Sequence, residues 1–165
     1  MEFRLDYGKV LPQGLRHVNA LDHYTAHSGL EPALIEIVKL RASQINGCAY
    51  CVDMHSKDAR TKGETEQRLY GLSVWRLAPY YTPRERAALA LTEAMTLIAN
   101  GPVPDEVYDA ARAQFNDEEL VKLALAVVMI NTWNRLCLTF GDEVGSYSPD
   151  HFVVTGQPAP AAVVN

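Results

Sequence analysis

The sequence predicts an all-α protein, and three observations carry that prediction. Apolar residues recur at three- and four-residue spacing, as in Leu34, Ile37, Val38 and Ile45, or Ala88, Leu91, Met95 and Ile98. Helix starts and stops punctuate the chain: Pro32 and Thr82-Pro83-Arg84-Glu85 open segments, while Asn46-Gly47, Gly63 and Asn100-Gly101 close them. No segment alternates with the period of a strand, and there is no glycine-rich phosphate loop or internal repeat. A thioredoxin-type sheet is therefore disfavoured, and an α bundle is expected.

Residues 1–18 carry Gly8, Pro12 and Gly14 with little periodicity and predict an irregular N-terminal arm. The helical domain is expected over 19–140. A short helix over 19–28 bears His23 and His27 four apart, a spacing that suits a metal pair. No carboxylate or third histidine matches it, so a polar or interfacial face is the expectation. Helices over 33–46 and 49–62 form a hairpin about Asn46-Gly47. Thr65 caps a segment with Leu69, Leu72 and Trp75 that closes at Pro79. The capping box at Thr82 starts a helix to about Ala99, with Glu93 expected on a solvated face. Pro104 opens a shorter helix to about Phe115. Asn116 or Asp117 then caps a long one with Glu118 and Glu119 at its positive end.

From Leu123 to Ile130 this last helix is apolar all round, which predicts a central position or a subunit interface. The following Asn131, Trp133, Asn134 and Arg135 suit either a site mouth or ordinary packing, and Cys137 is expected to be a buried small residue. Residues 141–165, broken by Gly141, Gly145, Pro149, Gly156 and Pro158-Ala159-Pro160, predict a tail that is mobile or lies against a neighbouring subunit.

At 165 residues the chain is long enough for one domain with a real core. A net charge of −5 without a lysine/arginine cluster argues against nucleic acid as a partner. No run reaches the roughly 18 apolar residues of a membrane span, and the first residues lack a secretory pattern, so no membrane partner and a cytoplasmic location are expected. Three cysteines in that compartment point to redox or metal chemistry rather than a structural disulfide framework.

The chemistry concentrates in Gly47-Cys48-Ala49-Tyr50-Cys51-Val52-Asp53-Met54-His55. Two thiols two residues apart can close a small disulfide ring and act as a two-electron couple. Placed at the start of a helix, Cys48, Cys51 and His55 share one face, where the helix dipole favours thiolates and the imidazole can take a proton from Cys51. If the preceding helix packs antiparallel, Glu36 lies about 15 Å back from its own helix end, near the level of His55. Its carboxylate would orient the imidazole, giving a relay from Glu36 through His55 to Cys51.

The pattern Glu36-x11-Cys48-x2-Cys51-x3-His55, followed by Lys57-Asp58-Ala59-Arg60 and Gly63, resembles the alkylhydroperoxidase core of the AhpD-like, carboxymuconolactone decarboxylase superfamily. The resemblance spans roughly residues 20–140 and is most specific over 34–63. It implies an AhpD-like helical bundle with the CxxC at a helix N-terminus, peroxidase activity through a dithiol/disulfide cycle, and homo-trimers or homo-hexamers. The site residues that carry over are Glu36, Cys48, Cys51 and His55. The chain departs from better-studied peroxidase members at Tyr50, where they have a histidine.

On this reading Cys51 attacks a hydroperoxide, Cys48 resolves the sulfenic acid, and an external dithiol, protein or lipoyl-type, restores the pair. No cofactor and no metal are called for. Three alternatives stay open: a disulfide oxidoreductase or relay without peroxidase activity, a zinc site of Cys48, Cys51, His55 and Glu36, and a thiol-independent lyase.

Overall fold

Eight α-helices and no strand make up residues 3–149, the part of the chain that the computed structural model describes. They are α1 (Tyr7–Val10), α2 (Pro12–Ala26), α3 (Pro32–Asn46), α4 (Ala49–Thr61), α5 (Glu66–Gly71), α6 (Pro83–Thr96), α7 (Asp105–Arg112) and α8 (Asp117–Phe140). Short 3₁₀ turns over Leu72–Val74 and Ile98–Asn100 extend α5 and follow α6.

The expected boundaries follow from local chemistry. Pro32 occupies the first turn of α3, and Gly47 ends it with φ 72°, a left-handed angle that favours glycine. Thr82 and Asn116 each form a complete capping box, with Glu85 and Glu119 respectively. The irregular arm expected over 1–18 is instead largely helical. Pro12 sits in the first turn of α2, where its missing N–H costs nothing, so it starts a helix rather than breaking one. Leu15, Val18 and Leu21 of α2 then pack against a buried cluster.

The hairpin of α3 and α4 leans on α8. Residues Leu34 to Leu40 of α3 are buried without a break, because α4, α6 and α8 all pack against this helix. Two apolar clusters result. The larger joins α3, α5, α6, α7 and the first half of α8, and includes Ile37, Leu72, Leu89 and Leu123. The smaller joins α1, α2, the start of α4 and the second half of α8 around Met129, Ile130 and Trp133.

By length and composition α8 could cross a membrane, which corrects the expectation that no segment approaches that limit. Half of its most apolar window is buried inside the protein, against α2, α3 and α6, as in a core helix. The last part of the expected tail, residues 150–165, lies outside the described residues.

Candidate active site

The turn after α3 delivers the two cysteines. Gly47 reverses the chain, and the Cys48 N–H donates to the Ser43 carbonyl at 3.0 Å. Cys48 is the N-cap of α4, and its sulfur accepts the Cys51 N–H at 3.4 Å. A sulfur thus takes the place usually held by a serine or aspartate oxygen, at the positive end of the helix. Cys48 and Cys51 form a disulfide with Cα atoms 5.3 Å apart, and each residue is only 1 % exposed. The oxidised pair is buried.

One turn further along α4 stands His55, also buried, whose Nδ1 donates to Glu36 Oε2 at 2.8 Å. The antiparallel hairpin therefore does bring Glu36 to the level of His55. The Glu36 carboxylate also pairs with Lys62 through its other oxygen. Burial alone would push the Glu36 carboxyl up, but the hydrogen bond and charge of His55, with Lys62 and Lys39 nearby, outweigh it and hold the acid well below the usual range. No hydrogen bond joins His55 to Cys51 among the described residues, so only the Glu36–His55 link of the expected relay is formed beside the disulfide.

Asp58, one turn beyond His55, completes this ionic group. Its carboxylate, Glu36 and the imidazole have donor atoms within 4.8 Å of one another. Burial pushes the Asp58 acid up and the Glu36 carboxylate adds to this, while a 2.6 Å hydrogen bond from the Tyr147 hydroxyl opposes it. Lys57 donates to the Tyr147 carbonyl at 2.8 Å, so the segment after α8 is tied back across α4 at two points. Asp58 could have been found from its i, i+3 spacing to His55; Tyr147 has no such signal.

On the other side of the disulfide lies a residue that sequence reasoning took for packing alone. Cys137 of α8 is indeed buried, and its sulfur lies within 4.8 Å of those of Cys48 and Cys51. Tyr7 and Asp142 adjoin it. The three groups perturb one another's acidity, yet neither the Tyr7 hydroxyl nor the Asp142 carboxylate has a partner in hydrogen-bond geometry. Burial pushes the Cys137 thiol far up, and the Asp142 carboxylate adds to the effect. Tyr50 flanks the same group; burial, with the Asp142 carboxylate, pushes its phenol up to about 12.

The asparagines of α8 brace the turn rather than line a mouth. Asn46 donates to Asn131 at 3.0 Å and to Asn134 at 2.8 Å, and Asn134 donates to Ser43 at 3.1 Å. These bonds pin the end of α3, and hence Cys48, onto α8.

Other candidates fall away. Glu93 is not solvated: it accepts from Arg41 and Trp75 and pairs with Arg76, in a bridge remote in role from the cysteines. His23 and His27 are exposed and stack on each other with ring centroids 4.2 Å apart. The four donors weighed for zinc divide between two groupings, Cys48 and Cys51 with Cys137, and Glu36 and His55 with Asp58. A disulfide offers no thiolate to a metal, and the second grouping is already engaged with Lys62 and Tyr147.

Comparisons with known proteins bear on the family and the fold. The model of the carboxymuconolactone decarboxylase family matches residues 12–94. The uncharacterised protein YdfG of Bacillus subtilis is 42 % identical over 146 residues, 88 % of this chain and 99 % of YdfG. The crystal structure of ATU0492 from Agrobacterium tumefaciens, a protein of unknown function described in terms of AhpD antioxidant defence, superposes with a TM-score of 0.85 at 45 % identity, covering 88 % of this chain and all of that one. A tribromopyrrole complex of the debrominase Bmp8 shares the fold, with a TM-score of 0.71 at 16 % identity over 82 % of this chain and 72 % of its own.

Proposed function

The chain belongs to the carboxymuconolactone decarboxylase family and has an AhpD-like fold, and from that membership we propose that it is a thiol-dependent peroxidase. One observation carries the reading: a redox-capable Cys48–Cys51 pair caps a helix one turn before an imidazole gripped by a buried carboxylate. The description of ATU0492 supports the same direction.

In the reduced state the Cys51 thiolate attacks the O–O bond of a hydroperoxide, releasing the alcohol and leaving a sulfenic acid. The Cys48 thiol displaces water from that sulfur and closes the disulfide. His55, oriented by Glu36, accepts the Cys51 proton and returns it to the leaving oxygen. An external dithiol, protein or lipoyl-type, then reduces the pair, which suits a reducing cytoplasm.

The exposed Val121 and Val128 on the outer face of α8 support assembly into homo-trimers or homo-hexamers. Light scattering at micromolar concentration should give a multiple of the 18.3 kDa chain, and a monomer would remove the assembly proposal.

The test of function is a thiol count on reduced protein before and after one equivalent of an organic hydroperoxide, by mass spectrometry. Loss of two thiols with a Cys48–Cys51 bond, abolished in Cys51→Ala, is the expected result. If both thiols persist while mild disulfides oxidise them, the protein is a disulfide oxidoreductase instead.

A further inference from the structure

Cys137 has no place in the cycle just described, yet it stands within 4.8 Å of both its sulfurs. The three cysteines come from the start of α4 and from α8, and the Asn46–Asn134 hydrogen bond ties the end of α3, two residues before Cys48, to α8. Cys137 is 4 % exposed and faces the pair from within the protein. Beside it lies the carboxylate of Asp142, 8 % exposed, with neither oxygen in a hydrogen bond among the described residues. The Cys137 thiol and the Tyr7 hydroxyl beside it are the donors that partly offset the cost of burying this carboxylate. Among the described residues, the other titratable groups facing this spot are the hydroxyls of Tyr7 from α1 and Tyr50 from α4, and Asp142 is the carboxylate that adjoins the Cys137 thiol.

We propose that Cys137 is a third redox thiol, which attacks the Cys48–Cys51 disulfide and moves the bond to the α4–α8 junction, with Asp142 taking its proton. The Cys137 sulfur forms a bond to one CxxC sulfur as the Cys48–Cys51 bond breaks. The electron pair of that bond leaves on the other CxxC sulfur as a thiolate. The proton held by Asp142 passes to this thiolate, so nothing is oxidised or reduced overall. A base is needed because burial keeps Cys137 in its unreactive thiol form. The exchange returns one CxxC thiol at the helix N-terminus while the oxidising equivalent stays in the protein.

This rests on the functional reading only in treating Cys48–Cys51 as a redox pair; hydroperoxide is not required. The test uses full-length Cys48→Ser and Cys51→Ser, each keeping one CxxC thiol and Cys137. Reduced protein at low concentration is treated with diamide, which makes disulfides without any peroxide. Acid quenching, alkylation after denaturation and peptide mass spectrometry follow.

At least one variant is expected to lose both thiols to an intramolecular bond containing Cys137, and adding Cys137→Ala should abolish it. In that background Asp142→Asn should slow closure about a hundredfold at neutral pH and move the pH–rate curve to the alkaline side. Cys48–Cys51 closure in protein with native cysteines should change less than about twofold on the same substitution, since that step does not use the carboxylate. If Cys137 is recovered fully alkylated from both variants, with circular dichroism showing native helix content, the third-thiol proposal is overturned. If Cys137 bonds form but Asp142→Asn leaves their rate and pH profile unmoved, the part assigned to Asp142 is overturned. A peroxide-inert protein that still forms the Cys137 bond with diamide would sink the peroxidase reading and leave this one standing.

Discussion

Along α4 the first turn carries sulfur and the second carries charge, and the two are satisfied in opposite ways. Around His55 the polar groups are paired: Glu36 binds His55 and Lys62, and Asp58 receives Tyr147. Around Cys51 the neighbours are apolar or left without hydrogen bonds, with Met129, Ile130 and Trp133 on one side and Cys137, Tyr7 and Asp142 on the other. The difference separates two tasks. A fully paired ionic cluster is rigid and fixes one imidazole orientation. A sulfur cluster with few directional bonds can exchange partners without first breaking others.

The comparison breaks most sharply at the sulfurs. Replacing Cys51 by Ser should lower hydroperoxide consumption, measured with dithiothreitol as reductant, about a thousandfold or more, since no other residue supplies the attacking thiolate. Cys48→Ser should lower it less, because Cys137 remains within reach of Cys51 to close a bond. Equal and complete losses would show that the sulfur side tolerates no substitution after all. Retention of most activity when Cys48→Ser and Cys51→Ser are combined would move the chemistry away from this helix.

The ionic side should answer in stability. Glu36→Gln removes the carboxylate that binds the buried His55 and pairs with Lys62, and removal of one partner from a buried pair costs about 3 kcal/mol. The pH signature identifies the cause. The folded state depresses the Glu36 acid from 4.5 to about 2, so the stabilisation is present above the ordinary value and fades as pH falls toward the depressed one. Urea unfolding of the native chain should therefore show stability dropping through that window, and the Glu36→Gln curve should be flatter there. A parallel pair of curves would mean that the carboxylate's charge contributes nothing.

How much of this was legible beforehand follows the same division. The α3–α4 hairpin, the Gly47 reversal, the Thr82 capping box and the cap at Asn116 depend on neighbours within a few residues, and each stands where its local signal places it. Glu36, Cys48, Cys51 and His55 lie on one hairpin, so their proximity could be computed from helix rise and one turn. Cys137 and Tyr147 reach the site from α8 and the segment after it, across sequence separations that no periodicity encodes. Glu93 went wrong for a related reason: its partners Arg41 and Trp75 come from other elements, so a surface-like spacing concealed a buried bridge. At Pro12 the signal was present and its sense was misjudged, since proline in a first turn begins a helix.

The smallest effect concerns the strap that links the two sides to the end of α8. Tyr147→Phe removes the hydroxyl that donates to Asp58 at 2.6 Å and leaves the ring in place. A hydrogen bond to a charged acceptor of this kind contributes about 1.5 kcal/mol. The sign of its pH dependence is the same as that of Glu36. Burial raises the Asp58 acid in the folded state, so its charged form is the costly one, and the phenol offsets that cost only while the carboxylate is ionised. The penalty of Tyr147→Phe should be largest at neutral pH and shrink as Asp58 takes up a proton on acidification. The difference in urea midpoints between the two proteins across that range measures it directly. A penalty independent of pH would assign Tyr147 to packing alone. A penalty that grows in acid would mean that the phenol stabilises the protonated Asp58 carboxyl more than its carboxylate.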